Sequence, residues 1–261
     1  MIRKAYVDTS AGQVHYYFTE GTKLPLVLLH QTASSGKMFH AVMERLRGTR
    51  PVYAFDTPGF GESFDPPGSP SMTQYADWLF EAFKAVDLQR FHLLGHHTGA
   101  FIGVDIATRY EDAVASLGLI GPMPMSEEER EKLRAEVVYE MPPTVDGSYL
   151  KDTWSYLIKL GANEDLALQH REMVDTLRAY RGRVQAYNAV FDQDFKALFT
   201  KVKCPLLIAC GEGNAVWPFF ERARELRPDA TAASLGGENL EPDLDPDGTA
   251  SVISGFLADF D

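Results

Sequence analysis

Phe91-His92-Leu93-Leu94-Gly95-His96-His97-Thr98-Gly99-Ala100-Phe101 is an apolar run that halts at a glycine and resumes as a second apolar run. The first part reads as a buried strand. The second, Ala100 to Tyr110 with Ile102, Val104 and Ile106, is apolar on most faces and reads as a buried helix. Between them the chain must turn sharply. Gly95 and Gly99 stand two residues before and two residues after His97. That spacing suits a tight strand-to-helix turn, where backbones approach too closely for side chains. The residue at its apex is expected to take a positive φ, and the turn displays its side chain. Here that residue is His97.

Working outward, Pro25–His30 is a fully apolar strand that opens into Gln31–Gly36. A helix follows with Phe39, Val42, Met43 and Leu46 on one face, and then the strand Pro51–Phe55. The helix Met72–Val86 turns Met72, Tyr75, Leu79, Phe83 and Val86 inward, and the strand Val114–Ile120 follows the elbow helix. At the start of the chain, Ala5–Val7 and Val14–Phe18 with the turn Ala11-Gly12 predict an antiparallel pair. Strands alternating with helices in this way imply an α/β protein with a doubly wound, mostly parallel sheet covered on both faces.

From Ser126 to about Phe199 no strand pattern appears. Ser126 with Glu129 predicts a capping box that opens a charged helix through Tyr139, ended by Pro142-Pro143. Helices are expected at about Tyr149–Leu160, Asn163–Arg178 and Arg183–Val190. The sheet pattern then resumes with the strand Pro205–Ala209, the loop Gly211–Asn214 and the helix Trp217–Leu226. A last strand Thr231–Leu235, the loop Gly236–Leu240 and a terminal helix Pro246–Phe260 complete the pattern.

A length of 261 residues with 45% apolar residues suits one domain, with or without an inserted cap. The net charge of −12 argues against partners that need basic patches, so neither nucleic acid nor an anionic membrane is expected. A small-molecule substrate or ligand is the expected partner. There is no 18-residue apolar run and no apolar segment after the basic start MIRK, so a cytoplasmic location is expected. Cys204 and Cys210 flank one strand, too far apart along an extended chain to bridge, and read as reduced thiols.

Three segments in order, His30 with its following loop, Asp56-Thr57-Pro58-Gly59-Phe60-Gly61-Glu62-Ser63, and the Gly-x-His97-x-Gly elbow, resemble the α/β-hydrolase family. The resemblance implies a hydrolase core over residues 1–124 and 200–261, with a helical cap over 125–199. It implies a catalytic triad whose nucleophile, acid and histidine positions fall on His97, Asn214 and Glu238. All three depart from the family's residue types, and no histidine lies beyond His170. The second place where the family can carry its acid, after Val114–Ile120, holds Gly121. A serine-nucleophile mechanism of the usual arrangement is therefore excluded. The resemblance further implies an oxyanion hole from the backbone N–H groups of Thr32 and Thr98, beside Gln31 where the family has glycine. His30 and His96 are expected to be structural. No metal is expected, with His96 and His97 pointing opposite ways, and no cofactor. Gln31, Trp154, Tyr187 and Trp217 are the candidate pocket residues, with Tyr156, Met173, Tyr180 and Phe191 as further cap aromatics and Met.

A His97–Glu238 pair would raise the imidazole pKa and set a general base, with Asn214 orienting the carboxylate. Hydrolysis of a small ester, lactone or activated C–C bond is the first functional expectation. A lyase or isomerase using His97 as base, and a ligand-binding protein without catalysis, remain open beside it.

Overall fold

The computed structural model describes residues 1–162 and 165–260. Eight strands form one sheet: β1 (Arg3–Asp8), β2 (Gln13–Thr19), β3 (Leu26–Leu29), β4 (Val52–Phe55), β5 (Phe91–His96), β6 (Val114–Ile120), β7 (Leu206–Gly211) and β8 (Thr231–Leu235). Their order is β1-β2-β4-β3-β5-β6-β7-β8. β1 pairs antiparallel with β2 and β2 antiparallel with β4, while every later pairing is parallel. The helices are α1 (His40–Leu46), α2 (Met72–Ala85), α3 (Thr98–Arg109), α4 (Glu127–Val137), α5 (Ser148–Lys159) and α6 (Leu166–Arg178). They continue with α7 (Tyr180–Asp192), α8 (Phe195–Phe199), α9 (Trp217–Leu226), α10 (Glu241–Leu244) and α11 (Pro246–Leu257).

The continuous apolar runs of β3 and β5 have a direct cause, since every residue of both strands is buried. Alternate side chains serve opposite faces. Leu26, Leu28, Leu94 and Ile120 pack with Val42, Met43 and Leu46 of α1 and with Ile253, Phe256 and Leu257 of α11. Val27, Leu29, Leu93, Leu117 and Leu119 pack against α2, α3 and α9 on the other face. With β5 central, flanked by β3 and β6, the carboxyl ends of the parallel strands meet at one edge. In sheets of this kind the ligand crevice lies at that edge.

The helices α4 to α8 fall between β6 and β7 in the chain. α4 stops at Val137, short of the expected Tyr139, because Val138 turns extended and Arg183 takes the carbonyls of Val137 and Tyr139. α6 starts at Leu166, capped by Asp165; the expected start at Asn163 lies outside the described residues. α7 is longer than expected at both ends. It carries Gly182 against Gly59, where a β-carbon would fall 2.4 Å from the Gly59 carbonyl oxygen. Two short helices were not foreseen: α8, whose Phe195 ring meets that of Phe101 at a tilt with centroids 4.6 Å apart, and α10. The terminal helix ends at Leu257 rather than Phe260. Cys204 and Cys210 are free thiols, and burial raises the pKa of both, that of Cys204 to about 11. Among the described residues no helix is long and apolar enough to cross a membrane.

Candidate active site

The elbow is built by close backbone approach. A β-carbon at Gly95 would fall 2.1 Å from the Gly99 carbonyl oxygen, and one at Gly99 would fall 2.1 Å from that of Leu29. Only glycine fits at either place. His97 takes φ 46° and ψ −107° between β5 and α3, as the sequence predicts for the apex. Its N–H donates to Ile120 at 2.9 Å, and its carbonyl accepts from Ala100 at 2.8 Å. A third glycine shapes the site. Gly121, at φ 66°, lies beside the ring, and a β-carbon there would fall 2.9 Å from His97 Nε2. Gly121→Ala should therefore cost about 1–2 kcal/mol for the left-handed backbone alone, with ring displacement adding to it. Urea unfolding reads the stability loss and the His97 ring resonances read the displacement; a variant matching the parent in both would show that the ring does not need this space.

Beneath the elbow lies a buried polar cluster whose hydrogen positions can be assigned. The Val216 N–H can only donate, and it donates to Asn214 Oδ1 at 3.0 Å. That fixes the amide orientation. Asn214 Nδ2 is then the donor both to Glu241 Oε1 at 2.7 Å and to His97 Nε2 at 3.0 Å. His97 Nε2 must accept, so its proton resides on Nδ1 and the ring is neutral. Glu241 Oε1 also accepts from the Gly211 N–H at 3.0 Å, and Oε2 accepts from His96 Nε2 at 2.9 Å.

The carboxylate under His97 is thus Glu241, the first residue of α10, and not Glu238. Glu238 sits at φ 51° in the loop after β8, exposed, with its side chain leaning on Gly161 and Gly213. The expected pair fails because Gly237 and Glu238 both take positive φ, which turns Glu238 outward and delivers Glu241 inward. The expected rise in the His97 pKa fails too. It falls to about 3, because burial and the neighbouring His96 disfavour the imidazolium by more than Glu241 favours it. Burial alone would raise the Glu241 pKa, but its bonds from His96 and Asn214 and the two nearby imidazoles hold it below the usual range.

His96 and His97 do not diverge as expected. Their rings meet edge to face with centroids 4.5 Å apart, and both lead to Glu241. Ligand atoms of His96, His97 and Glu241 lie within 4.8 Å of one another. The Asn214 and Gly211 N–H groups, however, point into the same centre, an arrangement that suits a carboxylate rather than a cation. His30 donates from Nδ1 to the Gln31 carbonyl at 2.7 Å and accepts at Nε2 from the Thr57 N–H at 2.9 Å, a buried strut between two loops. Burial lowers its pKa.

A cavity of about 260 Å³ opens above the elbow. Its floor is His97, Thr98, Thr32 and Gln31; its walls are mostly apolar and include Leu133 and Val137 of α4, Tyr187 and Phe191 of α7, and Val216 and Phe219. Tyr156 lines it too. Of the candidate pocket residues Gln31 and Tyr187 are in place. Trp154 and Trp217 are not part of the lining: Trp217 packs on Phe220 at 4.9 Å, and Trp154 is half-buried on α5. Met173 packs on a small cluster of Leu157, Leu168 and Leu240, and Tyr180 borders a separate surface groove. The Thr98 N–H occupies the first position of α3, where helical N–H groups lack an internal partner. Thr98 Oγ1 donates to Thr32 Oγ1 at 3.0 Å, tying together the two segments expected to form an oxyanion hole.

Glu241 left little trace in the sequence. It is one acid among several in Glu241-Pro242-Asp243-Leu244-Asp245, and α10 is too short for a periodic pattern.

A doubly wound sheet with a helical insertion over a strand-to-helix elbow defines a hydrolase-type α/β architecture. The chain belongs to the α/β hydrolase fold family, whose pattern matches residues 25–214. Fluoroacetate dehalogenase of a Burkholderia species is 26% identical over 92% of this chain and 88% of its own. The (E)-2-((N-methylformamido)methylene)succinate hydrolase of Acinetobacter baylyi is 24% identical over 81% of this chain and 80% of its own. The crystal structure of the enol-lactonase from Burkholderia xenovorans superposes with a TM-score of 0.82 at 16% identity, covering 97% of this chain and all of that one (100%).

Proposed function

We propose that this protein is a cofactor-free enzyme on the hydrolase fold that acts on a small ester, lactone or activated C–C compound, with His97 as hydrogen-bond donor to the carbonyl oxygen. One observation carries this. The Asn214 amide, held by Val216 and Glu241, occupies the Nε2 lone pair of a ring that lines the cavity. The ring then offers the cavity Nδ1–H, a donor, in place of a base or nucleophile. The N–H groups of Thr98 and Thr32 supply the rest of an oxyanion hole. A neutral imidazole acting as an electrophile is sound chemistry. For an ester or lactone, one water adds to the carbonyl carbon as a second water takes its proton, the acyl–oxygen bond breaks, the alkoxide takes a proton back from water, and the acid ionises into solvent.

The small-molecule hydrolases among the relatives support the class. A panel of activated lactones and esters tests it. Turnover should proceed without a burst, oxygen from labelled water should enter the acid, and a serine-directed fluorophosphonate should leave the protein unmodified. His97→Ala should lower kcat about 10²-fold, the usual effect of losing one oxyanion donor. A stoichiometric burst, or an unchanged rate in His97→Ala, would overturn the reading.

A second reading, ligand binding without turnover, is favoured by a specific feature. Among the described lining residues none offers a free base: the His97 lone pair is engaged, and burial raises the Tyr187 pKa well above its ordinary value. The same feature weighs most heavily against a lyase or isomerase, in which abstraction of a carbon-bound proton by a side chain is the reaction itself, whereas solvent water can take the proton of an attacking water. Saturable binding with no turnover across the panel would establish the ligand-binding reading.

A further inference from the structure

We infer that the cavity selects uncharged molecules and rejects carboxylates; the inference rests on the reading of His97 as a carbonyl donor. Its polar lining consists of Gln31, Thr32, Thr98, Tyr156, Tyr187, Asn239 and the neutral His97, with no Lys, Arg, Asp or Glu among the described lining residues. An ionised group enclosed without a partner is costly. The nearby buried charges do not supply one. Glu241 lies directly beneath the floor, one amide away from His97, and repels an anion. Arg183 stands behind the wall, 1% exposed, stacked at 4.5, 5.2 and 5.1 Å on the rings of Tyr139, Tyr156 and Tyr187. Its two terminal nitrogens donate to the carbonyls of Tyr139 and Val137 at 2.7 and 3.1 Å. Those two bonds close the end of α4, while Nε is buried without a hydrogen-bond partner; Arg183 is not a lining residue, and the rings of Tyr156 and Tyr187 that it stacks on stand between it and the cavity.

The contrast with the relatives is chemical: fluoroacetate and a succinate are carboxylates, whereas this cavity has no cation to meet one. The same property serves an ester or lactone hydrolase, because the neutral substrate enters and the carboxylate formed from it is expelled.

Octanamide and octanoate are isosteric and differ in charge at pH 7.5, so they make a matched pair of probes. Octanamide should bind at least about tenfold more tightly by calorimetry and shift the His97 ring resonances. Leu133→Arg, on a helix with no buried residue, places a cation on the wall and should reverse the preference. Val216→Lys repeats the test from the opposite side. Octanoate binding as tightly as octanamide overturns the inference; loss of that binding in Arg183→Met would then make Arg183 the counter-ion. An unreversed preference in both cation variants overturns it as well. Octanamide binding that leaves His97 undisturbed upholds the charge selection and removes the donor reading. Failure of both probes to bind removes both.

Discussion

His97→Asn should take about one proton out of the pH dependence of folding between pH 6.5 and 3. The ring is held neutral in the folded chain, with a pKa lowered to about 3, whereas in the unfolded chain it titrates near 6.5. Above pH 6.5 both states carry the neutral ring, and the shift has no effect on stability. Below it, the unfolded chain takes up a proton that the folded chain refuses, so the parent loses stability as pH falls toward 3. The slope for one proton is about 1.4 kcal/mol per pH unit, and across the window the loss integrates to roughly 3–5 kcal/mol. Asparagine does not titrate, and it tolerates positive φ better than most residues. His30 and His40, whose pKa values are also lowered by burial, are present in both proteins and cancel in the difference. Urea unfolding at half-unit steps of pH gives the two curves. Parallel curves would mean that the folded protein takes up the His97 proton as readily as the unfolded chain, and the donor reading would lose its basis.

The fold was legible because its signals are local and repeated. β3 and β5 are buried on both faces and so are apolar at every position, and the elbow glycines are dictated by backbone contacts of about 2 Å that no side chain survives. His97 could be placed because it follows directly on β5, and Asn214 because it lies in the tight turn three residues past β7, with its N–H bonded back to the Gly211 carbonyl. Glu241 could not. It reaches the cluster through a loop with two successive positive-φ residues, Gly237 and Glu238, and a four-residue helix. None of these has a periodic signature, so counting from the strand end stops three residues early. Trp154 and Trp217 failed for a different reason. Size and aromaticity mark a residue as buried, but which side of an amphipathic helix meets the cavity is set by how that helix, α5 for Trp154 and α9 for Trp217, packs on its neighbours.

Replacing Glu241 should have the largest effect on the elbow, and it separates a structural role from the control of His97. Its carboxylate receives three buried N–H donors, from His96, Gly211 and Asn214, and has no exposure to water. Glu241→Leu leaves all three without an acceptor and should cost about 3–5 kcal/mol, the range for removing one member of a buried charged pair. Glu241→Gln keeps the shape and one acceptor oxygen, and should cost about 1–3 kcal/mol. The glutamine amide must point its donor either at His96, whose ring can accept after a change of tautomer, or at Gly211 and Asn214, which can only donate. If it points at Asn214, the Asn214 amide loses the bond that aims it at His97. The parent should show the nitrogen shifts of an imidazole protonated at Nδ1 and bare at Nε2, and Glu241→Gln should show a mixture of tautomers with weakened ligand-induced shifts. A merely structural carboxylate would lower stability without touching the tautomer. The pH limb gives an independent check. The folded Glu241 pKa is depressed, so its contribution is complete above the unfolded value of about 4.3 and is lost as pH falls through the folded value. Glu241→Gln should therefore flatten the unfolding curve only below about pH 4.3, whereas His97→Asn acts from pH 6.5 downward. A parent ring protonated at Nε2, or a glutamine variant within about 0.5 kcal/mol of the parent, would show that Glu241 does not set the state of His97.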